Sequence, residues 1–232
     1  MDYFGDAPGQ CWVDSLFVEW PMPEPLATRL VRLRTELARQ RLDGLIVGRE
    51  DMFQGEEVPP GDERLAYISG FTGSAGFALI TAYAAVLFSD GRYSLQMVSQ
   101  TDPADWQCHT LPQYSLNDYL DQHPLDDLTI GIDPQLVTMT GYKRYAESIS
   151  KAGGQLIAID ASPVDAIWHA QPAMPAPSAW RMEDAVAGQS VADKLQVLAD
   201  DLRQQNLRAA LLSRVDAILL KKCMKVVNWQ NF

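Results

Sequence analysis

The stretch "RLVRLRTELARQRLDGLIVGRED" (residues 29–51) decides the fold. Leu30, Leu33 and Leu37, with Leu26 just upstream, recur at helical spacing and are separated by Arg and Glu. That pattern predicts an amphipathic helix. Asp43-Gly44 is its predicted stop, and "LIVG" (45–48) reads as a short strand with both faces buried. A helix that runs straight into a buried strand is the opening unit of a layered α/β domain.

The residues downstream keep that alternation. After a polar loop, "REDMFQGEEVPPGDERL", strands are predicted at "AYIS" (66–69), "GFALIT" (76–81) and "AAVLFS" (84–89), where aromatic and β-branched residues gather. "YSLQMVSQ" (93–100) predicts a helix and "DWQCHTL" (105–111) a strand. "SLNDYLDQ" (115–122) predicts a helix with Ser115 at its N-cap. "LTIGID" (128–133) and "QLIAID" (155–160) are strands around the helix "YKRYAESISKAGG", which glycine stops. The domain is expected to span residues 25–169, closing near "PVDAIWHA", with residues 1–24 as an N-terminal arm.

The proline-rich "AQPAMPAPSA" (170–179) marks a stiff connector, taken as residues 170–186. Beyond it the opening stretch returns. Residues 29–51 align without gaps on "KLQVLADDLRQQNLRAALLSRVD" (194–216). Leu30, Leu33, Leu37, Gln40, Leu42, Arg49 and Asp51 meet Leu195, Leu198, Leu202, Gln205, Leu207, Arg214 and Asp216. Two amphipathic helices share leucines by necessity, but the common helix–strand junction and the Arg-x-Asp after it indicate an internal duplication. Residues 187–232 are therefore expected to be the truncated start of a second, similar domain. The tail 217–232 diverges: its three lysines and no acid contrast with 16 basic and 30 acidic residues before it.

Composition excludes several function classes. Of 232 residues, 47% are hydrophobic, enough for a sizeable core. The net charge of −11 argues against binding a nucleic-acid backbone. The longest apolar stretch, "FALITAYAAVLF" (77–88), is too short to cross a bilayer as a helix, and "MDYFGDAPGQ" has no secretory signal pattern. Cys11, Cys108 and Cys223 support neither a disulfide framework nor a zinc site. A cytoplasmic protein without membrane or nucleic-acid partners is expected.

The motifs that invite chemistry mostly fail its requirements. Gly70, Gly73 and Gly76 in "ISGFTGSAG" (68–76) do not match a dinucleotide or P-loop fingerprint, and a strand follows where a helix N-terminus is needed. Ser74 lacks the G-x-S-x-G elbow. The glycines read instead as sharp turns at a tight sheet edge. His109, His123 and His169 form no metal-ligand pattern. "SDGRY" (89–93) offers turn chemistry together with Arg92 and Tyr93, a bidentate donor beside an amphipathic ring. It is equally a structural turn and a contact surface for another domain or substrate. No catalytic and no metal-binding residue is assigned.

Taken together, "GEEVPPGDERLAYISGFTGSAGFALIT", "LFSDGRYSLQ", "GIDP", "PVDAIW" and "AGQSVADKL" resemble the N-terminal part of three-domain Xaa-Pro aminopeptidases, bacterial cytoplasmic forms above all. The resemblance covers about residues 25–216. It implies a creatinase/prolidase N-terminal mixed sheet flanked by helices, with a ribonuclease H-like motif, followed by a related second domain. It further implies a homodimer and, in the full-length enzyme, dinuclear Mn2+ and proline-containing peptides as substrates. The catalytic motifs of that family are missing, so this chain is expected to be inactive alone, with no cofactor of its own. Phe71, Arg92 and Tyr93 become the candidates for dimer or cleft contacts. The alternatives are a stand-alone dimerisation or interaction module, and a fragment of a prolidase- or creatinase-like hydrolase.

Overall fold

A computed structural model describes residues 25–174, 180–211 and 224–225. The expected N-terminal arm lies outside the described residues, as does the divergent tail apart from Met224 and Lys225. The chain runs α1 (Leu26–Arg39), β1 (Gly44–Gly48), α2 (Arg64–Ser69), β2 (Phe77–Thr81), β3 (Ala85–Asp90), α3 (Ser94–Gln100) and β4 (Gln107–Leu111). It continues through α4 (Leu116–Gln122), β5 (Thr129–Ile132), α5 (Met139–Lys151), β6 (Gln155–Ala158) and α6 (Pro163–Ile167). Strands β1 to β6 form one mixed sheet in the order β4-β3-β2-β1-β5-β6. The meander β1-β2-β3 is antiparallel, while β4 joins β3, β5 joins β1 and β6 joins β5 in parallel. Parallel neighbours need a crossover, and α3 and α5 supply two of them.

Alternation along β1 sends its side chains to two cores. Leu45 and Val47 face α1, α2 and α6, where Leu30, Leu33, Leu37, Leu65, Ile68 and Ile167 pack. Ile46 faces the other side with Leu79, Phe88 and Ile132, covered by α4 and α5. Burial on both faces is what the uninterrupted "LIVG" requires. Arg29 is also buried on α1: it donates to the Tyr67 carbonyl at 2.8 Å and lies 4.4 Å from the Tyr67 ring centre. Tyr67 in turn stacks on Trp168 at 4.4 Å, fastening α6 to α2.

Three sequence expectations are corrected. "AYIS" belongs to a helix, because Leu65 and Ile68 point into the same core and Gly70, at φ 79°, caps α2 through its N–H to the Ala66 carbonyl. Helix α1 stops earlier than Asp43-Gly44, at Arg39, and Arg41 takes the left-handed turn at φ 59°. Gly44 is needed instead inside the sheet, where a Cβ would stand 2.8 Å from the Ile80 carbonyl oxygen. Finally, the glycine-rich loop leads into β2, a central strand rather than an edge.

The connector contains structure as well. Residues 180–181 form β7, paired antiparallel with β8 (Met224–Lys225), and α7 (Asp184–Ala187) precedes α8 (Val191–Gln204). Under the alignment of the repeat, α8 begins and ends at the same positions as α1. Its stop is the same too: Asn206 takes φ 54° where Arg41 takes 59°, and Leu207 N–H reaches the Leu202 carbonyl at 2.8 Å where Leu42 reaches Leu37 at 2.9 Å. The strand of the second copy would fall on residues 209–213. Residues 209–211 are not in a strand, and 212 and 213 lie outside the described residues.

Context separates the two helices energetically. Leu30 is 1% exposed whereas its counterpart Leu195 is 50% exposed. Leu30→Ala is expected to destabilise the chain by about 3 kcal/mol through lost burial and a residual cavity, and Leu195→Ala by under about 0.5 kcal/mol. Urea unfolding of both variants measures the difference.

His109 on β4 adds a pH prediction. It stacks on Tyr114 at 4.2 Å, its Nε2 is buried without a hydrogen-bond partner, and burial, with the His123 charge second, pulls it below the ordinary imidazole value. The unfolded chain therefore takes up the proton first, and stability is lost as pH falls from about 6.5 toward the folded-state value. His109→Gln should flatten the decline in Tm between about pH 7 and pH 5.5 relative to the unmodified chain.

Candidate functional site

The loop 70–76 and the turn 90–93 meet beside the N-terminal end of α3. Asp90 ends β3 in an extended conformation, and its carboxylate accepts from the Arg92 backbone N–H at 2.9 Å. The same carboxylate takes Arg92 Nε at 3.0 Å and Nη2 at 2.8 Å, which fixes the direction of the guanidinium. Arg92 also lies over the Tyr93 ring, 5.1 Å from its centre. Tyr93 Oη and Ser74 Oγ share a 2.5 Å hydrogen bond, joining the turn to the glycine-rich loop. This bond is the main cause that holds the Tyr93 hydroxyl below the ordinary phenol value, while Arg92 holds the Asp90 carboxyl below the usual carboxylate range.

The loop is anchored from three further sides. The Thr72 N–H donates to Gln100 Oε1 at 2.9 Å, and Gln100 Nε2 returns a bond to Thr72 Oγ1 at 2.9 Å. Ser89 Oγ donates to the Ala75 carbonyl at 2.6 Å. Arg49, at the exit of β1, donates to the Ser74 and Glu56 carbonyls and pairs with Glu63 at 2.8 Å. Gly76, at φ 153°, lets the chain pass close to β3: a Cβ there would stand 2.8 Å from the Phe88 carbonyl oxygen.

The three sequence candidates do not share one role. Arg92 has a side chain 66% exposed, and Tyr93 is half-buried next to it. Phe71 is corrected: it is 1% exposed and belongs to the core, so it reaches no partner surface. Its ring instead supports Tyr93 edge-to-face at 5.8 Å. Two neighbours went unnoticed in the sequence. Leu95 and Val98 on α3 are 87% and 61% exposed, one helical turn apart and next to Arg92. Their i, i+3 spacing beside "GRY" was the available signal.

This patch presents a fixed guanidinium, a phenol and two apolar side chains, the composition of a contact surface. It holds no nucleophile–base pair, because Ser74 has a phenol as its partner rather than an imidazole or carboxylate. Among the described residues no group of three or more His, Cys, Asp or Glu could hold a metal ion. His109 and His123 are both stacked on tyrosines. The described residues thus do not fit the dinuclear centre that the resemblance implies. No helix among them is long and apolar enough to cross a membrane.

Replacing Arg92 with Ala should leave stability essentially unchanged, as expected for an exposed ion pair. Phe71→Ala should cost about 3–5 kcal/mol. Denaturant midpoints of the two variants distinguish a residue retained for contact from one retained for packing.

Comparison with known proteins places the fold. The sequence profile of the creatinase/prolidase N-terminal domain matches residues 29–167. A probable Xaa-Pro aminopeptidase P of Pyrenophora teres f. teres is 35% identical over 197 residues, covering 82% of this chain and 29% of the relative. A protein of the same description from Talaromyces marneffei is 34% identical over 197 residues, again covering 82% of this chain and 29% of the relative. The chain therefore spans about three-tenths of the length of these relatives. Among solved structures, an X-prolyl aminopeptidase of Caenorhabditis elegans, described as a cytosolic enzyme with a di-nuclear active site, superposes with a TM-score of 0.72. It is 23% identical, and the match covers 87% of this chain and 35% of that one. With a two-face sheet, a helix-capped glycine loop and a family profile spanning both, the chain belongs to the creatinase/prolidase N-terminal domain family.

Proposed function

We propose that this chain is the non-catalytic N-terminal portion of an Xaa-Pro aminopeptidase, serving oligomerisation and access to an active site that other residues build. The observation that carries the reading is the Arg92–Tyr93 patch. It spends side-chain and backbone hydrogen bonds on holding one exposed cation in place, next to two exposed aliphatic residues. A guanidinium so oriented suits a peptide carboxylate or an acidic side chain across an interface. The relatives support the setting, since each is described as a probable Xaa-Pro aminopeptidase P, of which this chain matches about three-tenths. In such an enzyme the dinuclear Mn2+ and the proline-containing peptide would belong to the catalytic part. A cytoplasmic location agrees with the description of the nematode structure as cytosolic.

The chain alone should release no amino acid from an Arg-Pro-Pro peptide in the presence of Mn2+, and measurable turnover would overturn the non-catalytic assignment. In sedimentation at micromolar concentration the chain should form a dimer, which Leu95→Asp combined with Arg92→Ala shifts to monomer. A monomer before any substitution would remove the oligomerisation role.

A further inference from the structure

A crevice lies beyond the carboxyl ends of β1 and β5, along the same edge of the sheet as the Arg92 turn. β1 and β5 are parallel neighbours, but their chains leave in different directions. After β1 the chain builds α2 on one face, and after β5 it builds α5 on the other. Parallel strands whose connections diverge in this way open a cleft beyond their carboxyl ends, where α/β sheets bind ligands. A cavity of about 40 Å³ occupies that place, lined by Val47, Ile132, Leu136 and Val137, with Glu50 and Asp133 among its polar walls. Since one water needs roughly 10–15 Å³ on this measure, the space takes about three water-sized groups.

The charges around it are unevenly committed. Arg64 is spent: Nε and Nη2 hold Asp165 at 2.7 and 2.8 Å, and Nη1 holds Asp62 at 2.8 Å. Arg49 is engaged by Glu63 and two carbonyls. Asp133 accepts the Gln135 N–H with one oxygen. Arg144 lies over the Tyr145 ring at 5.8 Å, and burial pushes the Tyr145 hydroxyl up, so that ring stays neutral. Arg49 and Arg144 reach Glu50 through charge alone, and no described residue donates a hydrogen bond to its carboxylate. That carboxylate folds back over Gly48, where a Cβ would fall 1.7 Å from Glu50 Oε2.

We propose that the crevice beyond β1 and β5 binds a short-chain alkylammonium ion, its ammonium on Glu50 and its hydrocarbon among Val47, Ile132 and Val137. A half-buried carboxylate that accepts no hydrogen bond from a described residue, beside an apolar chamber, suits a ligand with both a donor cation and a small hydrophobic body. A metal ion would leave the aliphatic walls unused, and an anion would face Glu50 and Asp133. Glycine at position 48 is what gives the carboxylate its place.

The carboxyl of Glu50 is pushed up to about 7 by burial, with Arg49 and Arg144 acting against that. Its ionised fraction then rises from about one-tenth at pH 6 to about nine-tenths at pH 8, while an alkylammonium stays charged throughout. Titration of the full chain with n-propylammonium chloride, followed by methyl NMR, should perturb Val47, Ile132 and Val137. Affinity should be roughly tenfold higher at pH 8 than at pH 6. Glu50→Gln should lose at least tenfold at pH 8, and Gly48→Ala, which displaces the carboxylate without removing it, should do the same. Equal affinity for 1-propanol would overturn the proposal. So would unchanged binding in both variants, perturbation confined to other residues, or no binding at roughly 100 mM, far weaker than ordinary ligand affinities.

Discussion

The ion pair between Arg49 and Glu63 is the fastening on which the functional loops depend. Both side chains are largely buried, at 12% and 16% exposure. Burial pushes the Glu63 carboxyl up, and Arg49 is the group that pulls it back. A pair of this kind returns little net stability, because two desolvated charges must first repay their hydration. Its value is geometric. The Arg49 backbone N–H extends the β1–β2 ladder to the Gly76 carbonyl, and the guanidinium reaches the Ser74 and Glu56 carbonyls. One residue thereby sets the start of α2, the glycine-rich loop and the polar loop after β1.

That constraint passes outward to the surface. With Ser74 held from below, its hydroxyl meets Tyr93, Tyr93 rests on buried Phe71, and Arg92 is held between Asp90 and the Tyr93 ring. Each link removes rotamer freedom from a side chain that would otherwise be mobile on the surface. The entropy loss falls on folding rather than on association, so a partner meets a preorganised guanidinium. The glycines contribute by letting backbone run where side chains cannot. Gly73 is an example, since a Cβ there would stand 2.1 Å from the Phe71 ring.

Much of this was legible in the sequence, wherever local chemistry agrees with the tertiary outcome. The short strand at 45–48, the Ser115 N-cap and the strand–helix alternation from residue 84 to residue 158 all needed only periodicity and turn residues. "AYIS" misled because aromatic and β-branched composition favours a strand, while the deciding facts were the burial of Leu65 and Ile68 in one core and the left-handed Gly70. Phe71 misled differently: position in a loop says nothing about which way a ring turns. Glu50 was invisible because its significance lies in β5, eighty residues away in the chain and adjacent in the sheet.

The aligned helices α1 and α8 show where that boundary between local and distant information runs. α1 and α8 have the same length, the same C-terminal hydrogen bonds and the same left-handed stop, although Arg41 and Asn206 are chemically different. A stop of this kind is written in a few neighbouring residues and survives transfer from one context to another. Burial does not survive it. Leu30 is enclosed because a sheet and two further helices arrive from elsewhere in the chain, whereas Leu195 has no such cover among the described residues. Sequence similarity between these two helices therefore predicts the shape of the element and not its energetic contribution. The leucines at matched positions stabilise α1 through packing, while α8 carries a Ser190 N-cap and an exposed Asp200–Arg203 pair.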